Sequence, residues 1–387
     1  MSSAASEVMR VGSRPNGLLR AGLAIVAGAM TVIAAWWVVS LTGFATDIEI
    51  PFRAAERWMN GGQPYEAAAF LRPAGPDLPF LYPPFVLPMV VPLLILPRYV
   101  LWTSWTVICV AVAVFTCRRL RVPWRAVPLV LAWPPFAEGL MTGNVQILLF
   151  GAFVALFWRQ WVEAPGWQPA PVDPGLRPGS GPSALRADTL TGTLAAVIPA
   201  LKTAQPHAWW YLLTRRPRAA LIGLGIVAVA VLATLPLTGT GLWLDWVAQV
   251  RRAGDPAWTM AGISLGRYVP AGIAIAAIAG SLVAIPFVRG SRPGVWVGLL
   301  AVVGAPSLHV YGLLFMLPAM LVIRREFALL AVLLVASYTE VGMWLAIAIV
   351  VVTSVASVRW PILAEPAAVA PGRTAEPLPG GTVRPAG

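Results

Sequence analysis

Two carboxylates, Asp47 and Glu49, stand just beyond an apolar run that spans residues 18–41. Such a pair is either an ordinary set of solvated loop acids or a chemical device. A partly dehydrated carboxylate has a raised pKa and can take a proton from a hydroxyl. In an extended loop the two side chains would point the same way, and in a helix they would diverge by about 200°; the sequence leaves both arrangements open. Lys202, the only lysine, lies in an apolar segment between Pro199 and Pro206. An ammonium there is costly unless paired or hydrated, so its expected partner is a phosphate or a carboxylate. Arg251, Arg252 and Arg267 fall in a polar stretch, where arginines bind either phosphate or lipid head groups. His309 reads equally as a packing histidine or as a group that binds the acceptor or acts in catalysis. Glu138 and Glu340 read as markers of helix ends. With His207 the only other histidine, and Cys109 and Cys117 inside one apolar run, neither a metal centre nor a disulfide scaffold is expected. No GxxxxGK phosphate loop occurs, which argues against an ATP-driven machine.

The elements that must position these groups are those of a membrane protein. Of 387 residues, 58% are hydrophobic and only 11% are charged, against the roughly 25% charged residues of soluble domains. The formal net charge of +12 comes almost entirely from arginines. They sit in short clusters between apolar runs, so they set topology rather than bind nucleic acid. The expected architecture is an all-α polytopic bundle of about 10–12 transmembrane helices with broken or re-entrant segments. Residues 1–17 form a cytoplasmic tail, 18–358 the transmembrane domain and 359–387 a disordered tail. Within the domain, residues 42–98 form an outer loop in which Pro51 to Asn60 is a short interfacial helix and Pro83 to Pro97, broken by prolines, does not cross. Residues 99–118 run inward, 123–138 outward and 144–160 inward. Residues 161–188 form a Pro/Gly-rich cytoplasmic loop, and the segment around Lys202 is expected to enter and leave from the cytoplasmic side as two half-helices, with a single span as the alternative. Span 219–237 then leads to a second outer loop, 238–268. Spans 269–288, 294–305 and 308–323 and a hairpin of 327–339 and 342–358 complete the domain. This alternation places Asp47, Glu49, Glu138, Asn144, Arg251, Arg252, Arg267, His309 and Glu340 at or near the outer face.

A family resemblance is carried by motifs in order along the chain. Thr46-Asp47-Ile48-Glu49 is followed by Ala54-Ala55-Glu56-Arg57, Asn60-Gly61-Gly62-Gln63-Pro64-Tyr65 and Phe80-Leu81-Tyr82-Pro83-Pro84. Further along come Gly143-Asn144-Val145-Gln146, Lys202 with its proline, Gly262-Ile263-Ser264-Leu265 and Ala305-Pro306-Ser307-Leu308-His309-Val310-Tyr311. Together, over most of residues 18–325, they resemble glycosyltransferase family 87, the polyprenyl-phosphate-sugar-dependent transferases of the GT-C superfamily. Two departures stand out: Thr203-Ala204-Gln205 separate Lys202 from Pro206, and Gly262-Ile263 precede Ser264 where the family commonly has Asn-Gln.

The resemblance implies a multi-pass enzyme of the plasma (inner) membrane with its active site facing outside and no cofactor. It would move a sugar, commonly mannose or arabinofuranose, from a polyprenyl monophosphate to a glycolipid or glycan. Asp47 is then the expected general base, with Glu49, His309 and Tyr311 as orienting or acceptor-binding groups. Lys202, Arg251, Arg252 and Arg267 are the expected ligands of the donor phosphate. The competing expectation is a non-catalytic lipid or solute transporter, against which the lack of an inverted repeat counts.

Overall fold

The computed structural model describes residues 44–66, 78–157, 182–202, 205–253, 265–289, 292–306, 308–323 and 340–359, with Ile25, Ala29 and Trp36 as single helical positions. Most of the first apolar run, Ser264, residues 327–339 and the C-terminal tail lie outside the described residues. Every described element is helical.

Helix α1 (Thr46–Met59) carries Asp47 and Glu49 in its first turn, where the exposed N–H groups and the helix dipole favour negative charge. It starts five residues before the short helix expected from Pro51. Both carboxylates are therefore helical and point apart. Ala45 enters it in a left-handed conformation (φ 61°), tied by its N–H to the Met141 carbonyl at 2.8 Å. Helix α2 (Val86–Val90) continues as a 3-10 turn, Val91–Ile95. The pair rises about 18 Å, well short of the roughly 30 Å of a bilayer core.

Helix α3 (Arg98–Arg119) and helix α9 (Pro217–Ala253) are the two described helices long and apolar enough to cross a membrane. Each exposes large apolar side chains, among them Val107, Ile108 and Phe115 on α3 and Leu221, Val229 and Leu232 on α9. Contiguous apolar surface of that kind is rare in water and normal against lipid. Gly239, at φ 67° and ψ 164°, a conformation suited to glycine, kinks α9. Within the expected outer loop 238–268, residues 240–253 are helical. That arm lies on residues 63–66 and 78–85, with Gln63 Nε2 donating to Asp245 Oδ2 at 2.8 Å, Trp246 Nε1 to the Leu81 carbonyl at 3.0 Å and Gln249 Nε2 to the Glu66 carbonyl at 3.2 Å.

The 123–138 stretch is no single straight helix. It divides into a 3-10 turn, helix α4 (Val127–Leu131) and helix α5 (Pro134–Thr142), because Pro134 and Pro135 supply no N–H to continue α4 and suit the start of α5. Gly143, at φ 71°, ends α5, and helix α6 (Gln146–Leu156) follows. Phe136, Phe150, Phe153, Phe157 and Phe315, all buried, pack ring against ring around α5 and α6 as the centre of the core, with Phe136–Phe150, Phe150–Phe315 and Phe153–Phe315 edge to face.

Helix α7 (Pro182–Leu201) begins inside the stretch expected to be cytoplasmic loop. It stops at Lys202, and helix α8 (His207–Arg215) starts after Pro206. α7 and the first arm of α9 pack in parallel and in backbone contact: Gly192 meets Ala219 and Gly223, and Gly223 in turn meets Ala196. Helix α10 (Ala271–Ala284), helix α11 (Pro293–Val303), a 3-10 turn over Val310–Met316, helix α12 (Leu317–Ile323) and helix α13 (Glu340–Arg359) complete the bundle.

Candidate active site

Asp47 is positioned by two partners on the α5–α6 turn. Its Oδ2 accepts a hydrogen bond from Asn144 Nδ2 at 2.8 Å. The Thr142 hydroxyl lies beside the same carboxylate, and its single proton goes either to that carboxylate or to the Glu138 carbonyl at 3.0 Å. The α5–α6 turn fixes these partners. Asn144 Oδ1 accepts the Gln146 N–H at 2.8 Å, and Trp105 Nε1 donates to the Gly143 carbonyl at 2.8 Å. A side chain at Gly143 would crowd both Ile48 and Trp105, so the turn must be glycine to come this close to α1. Pro51 has no N–H to offer the Asp47 carbonyl one helical turn back.

Burial pushes the Asp47 carboxyl above its ordinary value of 3.8. The hydrogen bonds from Thr142 and Asn144 and the charge of Lys202 hold it down in part. A dehydrated carboxylate held by hydrogen bonds beside a cation is, in its ionised form, chemically able to take a proton from a hydroxyl.

Lys202 lies in the break between α7 and α8. Its Nζ stands 4.4 Å from the centroid of the Tyr311 ring, a cation–π contact. The charges of Asp47 and Glu138 act on it from either side. Tyr311 also stacks on His309 at 5.4 Å and lies against Asn144. The structure therefore brings together Asp47, Lys202, His309 and Tyr311, contributed by segments far apart in sequence.

A cavity of about 470 Å³ opens beside Asp47; Lys202, His309 and Tyr311 are not among its lining residues. Asp47 is the one charged side chain among its lining residues, and Tyr82 stands beside it. The rest of the wall is apolar: Phe52, Phe85, Met89 and Leu93 from α1 and the α2 region, and Val197, Leu201, Ile226 and Val227 from α7 and α9. Gly223, part of the backbone contact between α7 and α9, also lines it. The cavity thus pairs a carboxylate with a long hydrocarbon-lined slot.

Glu49 lies on the other side of α1. It accepts from Trp102 Nε1 at 3.1 Å and pairs with Arg53 and Arg98, each at 3.6 Å. Arg98 also pairs with Glu56 and sits over the Phe52 ring. These contacts fasten α1 to the start of α3. Arg251 and Arg252 are exposed at the end of α9, with Arg252 donating to Gln249 at 3.3 Å. Arg267 is exposed beside the Tyr268 ring. None of these three arginines lines the cavity with Asp47.

Glu138, read from sequence as a helix-end marker, is a second carboxylate within electrostatic reach of both Asp47 and Lys202. A signal was there: Glu138 and Thr142 are one helical turn apart and lead directly into the Gly143-Asn144 turn. Tyr82 likewise carried no distinguishing mark outside its motif. Among the described residues no group of three or more His, Cys, Asp or Glu could hold a metal ion.

The model of glycosyltransferase family 87 matches residues 80–348 of the chain. The match takes in Lys202, His309, Tyr311, Asn144 and Glu138, and begins after Asp47 and Glu49. No curated protein and no solved structure matches the chain.

Proposed function

The chain belongs to glycosyltransferase family 87, and from that premise we propose that it transfers a sugar, mannose or a similar one, from a polyprenyl-phosphate donor to a hydroxyl of a glycolipid or glycan. The reaction takes place at the extracytoplasmic face of the plasma membrane, in a multi-pass enzyme. The observation that carries the donor class is the slot itself. Its wall is largely apolar, and the one charged group on it is the Asp47 carboxylate, on which the charge of Lys202 acts. A nucleotide sugar presents ionic groups along its length and gains nothing from such a wall, whereas an isoprenoid chain buries apolar surface along all of it.

The chemistry follows from the residues. The acceptor hydroxyl attacks the anomeric carbon as its proton passes to Asp47, and the bond from that carbon to the phosphate oxygen breaks. The electron pair leaves with polyprenyl phosphate, whose growing charge Lys202 stabilises. Asn144 and Thr142 hold the carboxylate toward the acceptor, and Tyr311 confines the ammonium. His309, stacked on Tyr311, belongs to the wall against which a sugar ring would lie. Glu49 serves to anchor α1.

The test is turnover by the purified protein in nanodiscs, given a polyprenyl-phosphate sugar and a glycolipid acceptor, with a nucleotide sugar as the control donor. Acceptor-dependent release of polyprenyl phosphate is the expected result. An intact polyprenyl donor across a panel of sugars would refute the proposal and favour a transport role.

A further inference from the structure

The 202–206 break, which carries Lys202, is tied to the turn that carries the partner of Asp47 by a pair of buried amides. Gln146 Nε2 donates to Gln205 Oε1 at 3.0 Å, and both residues are buried, at 0% and 5% exposure. Each amide is fixed at its other end. The Gln146 N–H is held by Asn144 Oδ1 at 2.8 Å, and Asn144 Nδ2 holds Asp47. The Gln205 N–H closes onto the Lys202 carbonyl at 3.0 Å, while the Lys202 N–H ends α7 on the Ile198 carbonyl at 2.8 Å. A continuous run of hydrogen bonds thus connects the carboxylate of Asp47 to the backbone of Lys202.

We propose that Gln146 and Gln205 are positioning residues: their amide pair sets where the Lys202 ammonium stands relative to Asp47, and so where the donor phosphate is held. This rests on the reading of Lys202 as the phosphate ligand. Three features carry the inference. First, Pro206 has no N–H to offer the Lys202 carbonyl one turn back, so the helical hydrogen-bond ladder does not run from α7 into α8 and other contacts shape the break. Second, the Gln146–Gln205 bond is the contact that reaches it from the α5–α6 turn, the element that also holds Asp47. Third, the pair is a poor choice for stability alone. Gln146 Oε1 is buried and accepts no hydrogen bond among the described residues. Two apolar side chains of similar size would leave nothing unsatisfied there.

A double-mutant cycle separates positioning from mere support. Affinity for a short-chain polyprenyl monophosphate is measured in nanodiscs for wild type, Lys202→Met, the paired variant Gln146→Met/Gln205→Met, and the triple variant, with thermal melts alongside. Lys202→Met is expected to weaken binding by about tenfold, the scale of one lost charge-assisted hydrogen bond. The paired variant should melt no lower than wild type and yet lose a similar factor. The triple variant should bind no worse than Lys202→Met alone, because the amides act only through the lysine. Unchanged binding in the paired variant, with binding weakened in Lys202→Met, overturns this inference and leaves the phosphate reading standing. Losses that multiply in the triple variant also overturn it, since they show the amides acting elsewhere. Unchanged binding in Lys202→Met brings down the phosphate reading and the inference with it. Should the paired variant fail to fold, Gln205→Asn, which keeps the amide but withdraws it by one methylene, carries the same cycle.

Discussion

Replacing Asp47 by Asn changes one oxygen to nitrogen and leaves most of the surroundings satisfied. Asn144 Nδ2 can still donate to the remaining oxygen, and Thr142 stays beside it. What disappears is the proton acceptor. Loss of a positioned general base costs about 10²–10⁴-fold in rate, or roughly 2.7–5.4 kcal/mol of transition-state stabilisation. The binding of donor should persist, because the apolar wall is untouched and Lys202 loses only a competing anion. The stability change has the opposite sign. Burial raises the Asp47 pKa, so the protonated form stabilises the fold below the ordinary carboxylate value of 3.8, and that contribution is lost as pH rises through the folded value. Wherever the buried carboxyl is ionised its charge is a cost to the fold, and Asn removes it. The assay is donor turnover with kcat and KM measured separately, together with melting curves at neutral and acidic pH. A kcat lower by 10²–10⁴-fold, an unchanged KM and a melting temperature at or above wild type are expected. The wild-type rate should also fall on the acid side at a pH above the ordinary carboxylate range, and that limb should vanish in Asp47→Asn. A variant that turns over at the wild-type rate would refute the base assignment. One that is inactive only because it melts far lower would refute the electrostatic argument.

Glu49→Gln keeps an oxygen for Trp102 and gives up two part-exposed ion pairs, so a stability loss below about 1 kcal/mol with kcat unchanged is expected in the same assays. Inactivity with a normal melt would show the base to lie two residues from Asp47. Gly192→Ala drives a Cβ into the Ala219 carbonyl and against the Gly223 backbone, and since neither can move without parting α7 from α9, a loss of about 1–3 kcal/mol should appear as a lower melting temperature in detergent. For topology, a Cys109→Ala/Cys117→Ala background with a cysteine introduced at Asn60 should label with an impermeant thiol reagent in intact cells. One introduced at Arg121 should label only after permeabilisation, and the reverse pattern would invert the proposed orientation.

The scarcity of charge and the apolar runs between arginine clusters made a helical membrane protein legible without coordinates, because lipid admits few other solutions to the pairing of backbone groups. The interruption at Lys202 was legible for a similarly local reason: Pro199 and Pro206 cannot both sit within one regular helix without a break. Sequence also singled out Asp47, but left its orientation relative to Glu49 open, since helix and loop are nearly balanced for a segment entered from a helix end. Tertiary contact decided it. The Ala45 N–H bond to Met141 and the packing of Ile48 and Phe52 start the helix at Thr46, which sends Asp47 to the cavity and Glu49 to the arginines of α1 and α3. The same holds for the residues after the Gly239 kink, which read as loop in the sequence and are helical where they lie against Gln63 and Leu81. Glu138, Tyr82 and the Gln146–Gln205 pair were beyond local reading altogether. Their meaning depends on contacts between segments far apart in the chain, and no periodicity or propensity records which buried polar groups will face one another. Composition fixes the solvent and the kind of element, while the site exists only where the turn after α5, the start of α1 and the break after α7 converge.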